Sequence, residues 1–193
     1  MRGVFVLLVV FASCASVRGS TLPAPGSPSP AAAATSAPRI GPASGAAWPR
    51  VPPRAIHARV TRVVDGDTIV LDGIGVGYAD SRRRPGRHAR LIGVDTPEVF
   101  GKVGCFGSQA SAFTKRELSG RDVLVDFDVD PVDRYGRALV YVWTTDGTLF
   151  NGKLAEDGYA VQLTIPPDVR YVELFTGYVR DARDAGRGLW SSC

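Results

Sequence analysis

Three short segments of the sequence combine carboxylates, hydroxyls and arginines, the residue types that could handle a metal ion and an anionic substrate together. They are Asp65–Thr68, Arg90–Glu98 and Asp133–Arg137. Each has a simpler interpretation on its own, because Asp-Gly between apolar runs usually forms only a turn and surface arginines usually form weak salt bridges. A functional site is indicated only if the fold brings the three segments together.

The second segment has the most informative arrangement. A strand is expected to lead into Asp95, and the residue before a proline is pushed towards an extended conformation. Pro97 therefore keeps Asp95 and Glu98 off a helix. We expect both carboxylates to lie along an exposed strand end, where they and a backbone carbonyl could meet a hard cation.

The elements expected around these segments form a small mixed domain. β-branched residues and alternating polarity predict five strands, at 57–64, 68–71, 90–94, 123–127 and 138–143. Asp-Gly at 65–66 predicts a hairpin between the first two. Ser108 is expected to cap a helix that Gly120 ends, 149–157 is a short helix candidate, and Asp168 is expected to cap a last helix that Gly186 ends. This order predicts a mainly β fold with appended helices (α+β), built on a closed five-stranded barrel of the OB type.

Composition locates the folded part of the chain. The sequence has 193 residues and a formal net charge of +4, yet residues 54–193 hold 19 basic and 19 acidic side chains because no Asp or Glu precedes Asp65. Nine of the 14 prolines lie between Pro23 and Pro53. We therefore expect a linker without packed structure at 20–53 and one domain at 54–193. A multidomain enzyme and a polytopic membrane protein are excluded, and the basic pI is no nucleic-acid footprint.

The N-terminus resembles an export signal. Met1–Gly3 carries one positive charge and Val4–Ala12 is apolar but shorter than the roughly 20 residues that span a bilayer. Residues 1–19 are therefore interpreted as a signal peptide. The alternative is that 11–14 forms a lipobox and that Cys14 is acylated. The protein is expected outside the cytoplasm, either secreted or anchored by lipid to the outer face of the membrane.

Cys105 and Cys193 form an even pair once the leader is set aside. In an oxidising compartment such a pair predicts a disulfide. On the chain-entropy argument it would stabilise the domain by at most about 4–5 kcal/mol. The alternative is two buried free thiols.

Four motifs in order, "DGDT", "RLIGVDTPE", "GSQASAFTK" and "DRYGR", closely resemble the staphylococcal nuclease family. The resemblance runs from about Ala55 to Trp190 and so covers nearly the whole expected domain. It implies a five-stranded OB barrel and a calcium-dependent phosphodiesterase. It further implies DNA and RNA as substrates and products that end in a 3′-phosphate.

The resemblance also assigns a metal site. Asp67 and Asp95 correspond to the family's carboxylate ligands for Ca²⁺, and the backbone carbonyl of Thr96 lies beside them in the motif. Two carboxylates and a carbonyl are few ligands for this ion, so water and substrate must complete its shell. Weak affinity is expected, about 10⁻⁴–10⁻³ M as in extracellular modules.

Arg90, Glu98 and Arg137 correspond to the family's catalytic trio. The planar fork of an arginine matches two phosphate oxygens, and a glutamate could orient or deprotonate the attacking water. Tyr135 and Arg134 correspond to residues near the substrate. For Tyr135 the alternative is simple packing under Arg137.

Two features depart from the family pattern. The connection from Asp72 to His88 is long and carries Arg82–Arg84, either a basic finger on backbone phosphates or a solvated loop. Thr164 stands where the family often has a tyrosine, which bears on base preference.

The competing interpretation is a non-catalytic OB module on the cell surface that binds nucleic acid or protein. The presence of both aspartates and the complete trio favours the enzyme. A monomer is expected.

Overall fold

Two stretches of the chain, residues 48–77 and 86–193, are described by a computed structural model. The expected signal peptide at 1–19, Cys14, most of the expected linker and Arg82–Arg84 lie outside them. Within those two stretches, no helix is both long and apolar enough to cross a membrane.

The described residues of the domain contain seven strands. In chain order they are β1 (Ile56–Val63), β2 (Thr68–Asp72), β3 (Arg87–Leu91), β4 (Gly93–Asp95), β5 (Asp122–Asp126), β6 (Ala138–Thr144) and β7 (Val161–Leu163). Five of them close a barrel in the order β1-β2-β3-β6-β5, and β4 pairs with β7 in a separate two-stranded sheet. The prediction of a mainly β, five-stranded OB-type barrel with appended helices is confirmed.

The barrel follows from the strand patterns. β1 and β2 form the expected antiparallel hairpin, with an irregular register between Val60 and Arg62. β3 runs parallel to β6, the pairing that closes the barrel across the chain segment containing the first helix. Ile69, Leu71 and Val140 are fully buried inside this closed sheet.

The strand expected at 90–94 is instead two strands. β3 ends at Leu91, and β4 starts at Gly93 in order to pair with β7. Gly93 has a φ of +82°, and an added Cβ there would lie 2.1 Å from the ring of Phe175. Only glycine can therefore make this bend without moving Phe175. The bend carries Asp95 away from the barrel wall towards the rim.

In the two described stretches, four helices flank the barrel: α1 (Gly107–Leu118), α2 (Phe150–Glu156), α3 (Val172–Asp184) and α4 (Leu189–Ser192). The last, short helix was not predicted. It ends next to a disulfide between Cys105 and Cys193, which are 88 residues apart in the sequence. This is the pair that the sequence predicted.

The two expected helix caps are wrong. α1 begins after Phe106, which has a φ of +67°, and no side chain caps it, so Ser108 lies inside the first turn. α3 begins at Val172 rather than near Asp168. Asp168 instead accepts the backbone N–H groups of Val129 and Asp130, at 3.0 and 2.8 Å. Its hydrogen-bonding capacity serves a distant loop rather than the helix that follows it.

Residues 48–53, assigned to the linker by composition, contact the barrel and its helices. The Trp48 ring packs edge-on against Tyr178 with centroids 5.2 Å apart. Trp143 donates its indole N–H to the Pro49 carbonyl at 3.1 Å. These contacts fix where the chain enters the domain.

Candidate active site

The three chemistry-bearing segments meet in one pocket of about 220 Å³. It lies where the β1–β2 turn, the end of β3, the end of β4 and the start of β6 converge. Its lining contains every carboxylate and arginine that the sequence selected for metal binding or catalysis, namely Asp67, Arg90, Asp95, Glu98 and Arg137, together with Asp65, Thr68, Thr96 and Pro97.

Asp67 is the most firmly held of these side chains. Only 4% of it is exposed, and one carboxylate oxygen accepts both the backbone N–H of Thr96 at 2.7 Å and its hydroxyl at 2.9 Å. The other oxygen accepts the Thr68 hydroxyl at 3.2 Å. Arg90 forms an ion pair with the same carboxylate. These donors fix the orientation of the Asp67 carboxylate.

Arg90 links the two aspartates of the expected metal site. Its side chain is 12% exposed, and it donates to Asp95 at 2.5 Å as well as contacting Asp67. Burial lowers the pKa of Arg90, an effect that the charge of Asp95 opposes. The guanidinium remains charged because an arginine pKa starts so far above neutrality.

Asp65 lies in the first of the three segments and lines the pocket, although the sequence patterns assigned it no metal-binding or catalytic role. One of its oxygens accepts the N–H groups of Asp67 and Thr68 at 3.1 and 2.7 Å. This contact closes the turn, as the simpler interpretation of the motif required. Burial raises the pKa of Asp65, and its hydrogen bonds with Thr68 and the charges of Arg90 and Arg137 oppose that rise. The side chain therefore shapes the turn and also adds negative charge beside Asp67.

Arg137 is oriented by the turn before β6. Asp133 accepts its Nε–H at 2.7 Å and its backbone N–H at 2.9 Å. Tyr135 is 62% exposed, and the guanidinium carbons of Arg134 and Arg137 lie 4.7 and 5.5 Å from its ring centre. The ring packs beside Arg137 and still presents an open face to solvent.

Glu98 differs from the other acids of the pocket. It is exposed, and no residue that the structure describes donates a hydrogen bond to its carboxylate or pairs with it. Such a carboxylate is available to a water molecule or a substrate.

A second, larger cavity of about 450 Å³ adjoins the first and shares Arg90 and Arg137 with it. Its lining is more apolar and includes Tyr135, Leu163 and Ile165. Thr164, the position that departs from the family pattern, does not line this cavity. Its two neighbours do, and they present aliphatic rather than aromatic surface.

Two buried polar residues hold the pocket in place and had no signal in the sequence. Thr114 of α1 donates its hydroxyl to the Gly66 carbonyl at 2.6 Å. Asn151 of α2 donates to the carbonyls of Ile92 and Val140 at 2.9 and 3.1 Å, so it fastens the break between β3 and β4 to β6. Both lie on helices, and their partners are far away in the sequence, so only the fold brings them near.

The donors in the smaller pocket suit a hard cation, because they are carboxylate and carbonyl oxygens without sulfur or imidazole. Across the two described stretches, however, no three His, Cys, Asp or Glu side chains are grouped closely enough to hold a metal ion. Asp67 and Asp95 are instead both engaged by Arg90. The residues thus fit a cation that takes few protein ligands.

The fold is a closed five-stranded barrel, and one pocket at its rim contains acidic side chains and two arginines. These features indicate the class of small barrel proteins that act on an anionic phosphate substrate. Residues 88–192 match the family described as staphylococcal nuclease homologue. The chain belongs to this family, which confirms the resemblance of the four motifs.

Known relatives agree. The thermonuclease of Staphylococcus intermedius is 40% identical over 134 residues, which cover 68% of this chain and 74% of the relative. The thermonuclease of Staphylococcus hyicus is 37% identical over 137 residues, 69% of this chain and 75% of the relative. A protein of Escherichia coli O157:H7 named as an uncharacterized endonuclease is 33% identical over 139 residues, 70% of this chain and 78% of the relative. Family and relatives together support a nuclease, a hydrolase, over other uses of the barrel.

Proposed function

We propose that this protein is a calcium-dependent nuclease without sequence specificity, which hydrolyses phosphodiester bonds of DNA and RNA and leaves 3′-phosphate ends. The observation that carries the proposal is the single pocket that contains Asp67, Arg90, Asp95, Glu98 and Arg137. Family membership adds the reaction class. The larger cavity beside the pocket adds room for the rest of a nucleotide.

The two arginines supply the positive charge that the reaction requires. A phosphodiester is anionic and resists attack by water, and extra negative charge builds on its oxygens in the transition state. Arg90 and Arg137 line both cavities, so a phosphate between the cavities would meet both guanidiniums. Preorganised donors of this kind are worth about 10²–10³ in rate each.

Glu98 is the base of the proposed reaction. Its carboxylate is exposed and unpaired within the described part of the chain, so it can take a proton from, or orient, a water molecule. The water oxygen bonds to phosphorus and the bond from phosphorus to the 5′ oxygen breaks. That oxygen leaves and takes a proton from solvent, the proton held by Glu98 returns to solvent, and the phosphate stays on the 3′ oxygen.

Asp67, Asp95 and the backbone carbonyl of Thr96 would hold the calcium ion. Bound there, the ion supplies further positive charge to the phosphate. Because both carboxylates already contact Arg90, they exchange an ion pair for metal coordination. We therefore expect weak calcium affinity, in the range of about 10⁻⁴–10⁻³ M.

Substrate recognition is proposed to rest on phosphate and on general apolar contact. The larger cavity would take a nucleoside next to the cleaved phosphate, with Tyr135 and Arg134 at its edge. Stacking on an aromatic ring tolerates any base. Leu163 and Ile165 likewise offer shape but no hydrogen bonds, which fits a lack of sequence specificity.

We further propose that the protein is exported through residues 1–19, is either secreted or anchored through an acylated Cys14, and acts as a monomer. The supporting feature is the short apolar N-terminal run. Mass spectrometry of the mature protein from its native host tests this: a mass that begins with an acylated Cys14 supports the anchor, and an intact N-terminus contradicts export.

The decisive experiment is a calcium titration with plasmid, denatured DNA and RNA as separate substrates, followed by end-group analysis of the products. All three are expected to be cut, with 3′-phosphate ends, and chelation with EDTA should abolish cleavage until calcium is restored. Exposed Arg180, outside the pocket, provides the control variant R180A, which should cleave like the parent protein. Binding of single strands without any cleavage would instead support a non-catalytic OB module.

A further inference from the structure

The position of Glu98 must come from the backbone, since its side chain has no partner among the described residues. It lies just after β4, where regular structure ends, and α1 begins only at Gly107. Phe100 and Val103, in the intervening loop, are 62% and 56% exposed. The loop itself therefore buries too little apolar surface to fix Glu98.

The two ends of this loop are clamped together. Gly104 donates its N–H to the Glu98 carbonyl at 2.8 Å, and Gly107 donates to the Gly104 carbonyl at 3.1 Å. An added Cβ on Gly107 would lie 2.5 Å from the Glu98 carbonyl oxygen and 2.7 Å from that of Pro97. The turn at 104–107 is thus packed directly against the backbone of Glu98.

A disulfide anchors this same turn to the C-terminus. Cys105 lies inside the turn and is bonded to Cys193, with the two Cα atoms 5.9 Å apart. The C-terminal side is in turn held to the domain, because Leu189 of α4 is buried and donates its N–H to the Gly158 carbonyl at 2.8 Å. Phe106 adds a second contact by stacking on Tyr159, with ring centres 5.5 Å apart.

We propose that the Cys105–Cys193 disulfide is a positioning element of the active site, which holds Glu98 in its working place through the turn at 104–107. The inference rests on the role of Glu98 in the proposed nuclease reaction. It gives Cys193 a role in positioning Glu98, although Cys193 lines neither cavity. The disulfide then affects turnover, whereas binding of substrate and calcium depends on residues outside the turn.

A double-mutant cycle with Glu98 separates this role from plain stabilisation. The variants are C105S/C193S, E98Q and their combination, with kcat and KM measured well below each melting temperature. E98Q is expected to lower kcat by about 10²–10⁴, the usual contribution of a general base. Loss of the disulfide should lower kcat by about 10-fold to 100-fold, since small misplacements of a reacting group cost this much. KM should change less than about threefold. In the E98Q background, loss of the disulfide should change kcat by less than twofold.

Two further variants complete the design. G107A keeps the disulfide but pushes on the Glu98 carbonyl, so it should lower kcat as the cysteine variant does and should also be silent in the E98Q background. This variant carries the test if the cysteine variant does not fold. V60A, a buried barrel residue outside both cavities, lowers stability without reaching the turn and should leave kcat unchanged below its melting temperature.

The outcomes separate the two conclusions. Effects of E98Q and disulfide loss that multiply, or a cysteine variant with the parent kcat, would overturn the positioning role while leaving the proposed function intact. A parent-like kcat for E98Q itself would remove Glu98 from the reaction and overturn the positioning role, whereas the absence of calcium-dependent cleavage by the parent protein would overturn the proposed function. An E98Q defect that makes disulfide loss and G107A silent supports the inference.

Discussion

Replacement of Arg90 tests the site most directly, because this residue contacts both expected metal ligands and lines both cavities. The change Arg90→Ala removes a charge from a side chain that is 12% exposed, next to an Asp67 carboxylate that is 6% exposed. Two consequences follow, one for stability and one for turnover. Calcium is expected to offset the loss of stability but not the loss of turnover.

The stability loss can be estimated from the contacts that remain. Removing one partner of a buried ion pair costs about 3–5 kcal/mol. The lower end applies here because Asp67 keeps the two Thr96 donors and Asp95 is about half exposed. Without calcium we expect a loss of about 3 kcal/mol, or roughly 10 °C in melting temperature for a domain of this size. Calcium should stabilise R90A more than the parent protein, since in the parent it competes with the guanidinium for the same carboxylates.

Turnover should fall even where stability is restored. Loss of one charge-stabilising donor costs about 10²–10³ in kcat, and Arg90→Lys should recover part of the melting temperature but little of the rate, because one ammonium cannot span two carboxylates and a phosphate. Thermal melts with and without calcium, together with kcat at saturating calcium, measure both effects. An R90A protein with the parent melting temperature, or with the parent kcat, would refute the corresponding half of this reasoning.

Three further predictions use other parts of the structure. Arg137→Ala should lower kcat by about 10²–10³ with little change in calcium affinity, measured by calcium titration of the rate; a large affinity change would place this residue at the metal. Burial acts to raise the pKa of Asp126, but hydrogen bonds from Arg54 and Arg170 outweigh it and hold that pKa below its usual range. The stability that this ion pair contributes is present above the unfolded pKa of about 3.9 and is lost as pH falls through the folded pKa. D126N should therefore lower the free energy of unfolding by about 2 kcal/mol at neutral pH and flatten the acid side of a plot of melting temperature against pH. An unchanged plot would contradict the assignment. Thr114→Val should cost about 1–3 kcal/mol by leaving a buried carbonyl in the β1–β2 turn unsatisfied, whereas Thr114→Ser keeps the hydroxyl, and equal denaturation curves for the two would show that the bond contributes nothing.

The barrel was predictable because its strands carry their own periodic signal. The hairpin of β1 and β2 follows from alternation and an Asp-Gly turn, and β6 follows from a continuous apolar run. The features that were missed depend on distant partners. Asp168 is a residue type that often caps helices, yet its carboxylate accepts hydrogen bonds from the loop at 129–130. Gly93 is required at its bend because Phe175 occupies the space where a side chain would lie.

The active site also has a part that the sequence predicted and a part that depends on distant partners. Residue types and motif order selected Asp67, Asp95, Glu98 and the two arginines, and the structure gathers all five around one pocket. Nothing in the local sequence shows that one arginine would hold both aspartates, nor that Thr114 would support the turn between β1 and β2 from α1. These are contacts between residues more than 20 positions apart, except for Arg90 with its near neighbour Asp95. Their recognition requires the register of the barrel.

Arg90 and Arg137 form the wall between a polar pocket and a more apolar cavity, and this placement links mechanism to specificity. A phosphate that reaches both arginines must lie at the wall, so in the proposed reaction the acidic pocket would receive the reacting centre and the apolar cavity would receive a nucleoside. The strong interactions are then with charge that every nucleotide carries, while the variable part, the base, meets Leu163, Ile165 and one face of Tyr135. Since aliphatic and stacking contacts discriminate weakly between bases, an enzyme built on this wall would cut according to the accessibility of the backbone rather than its sequence.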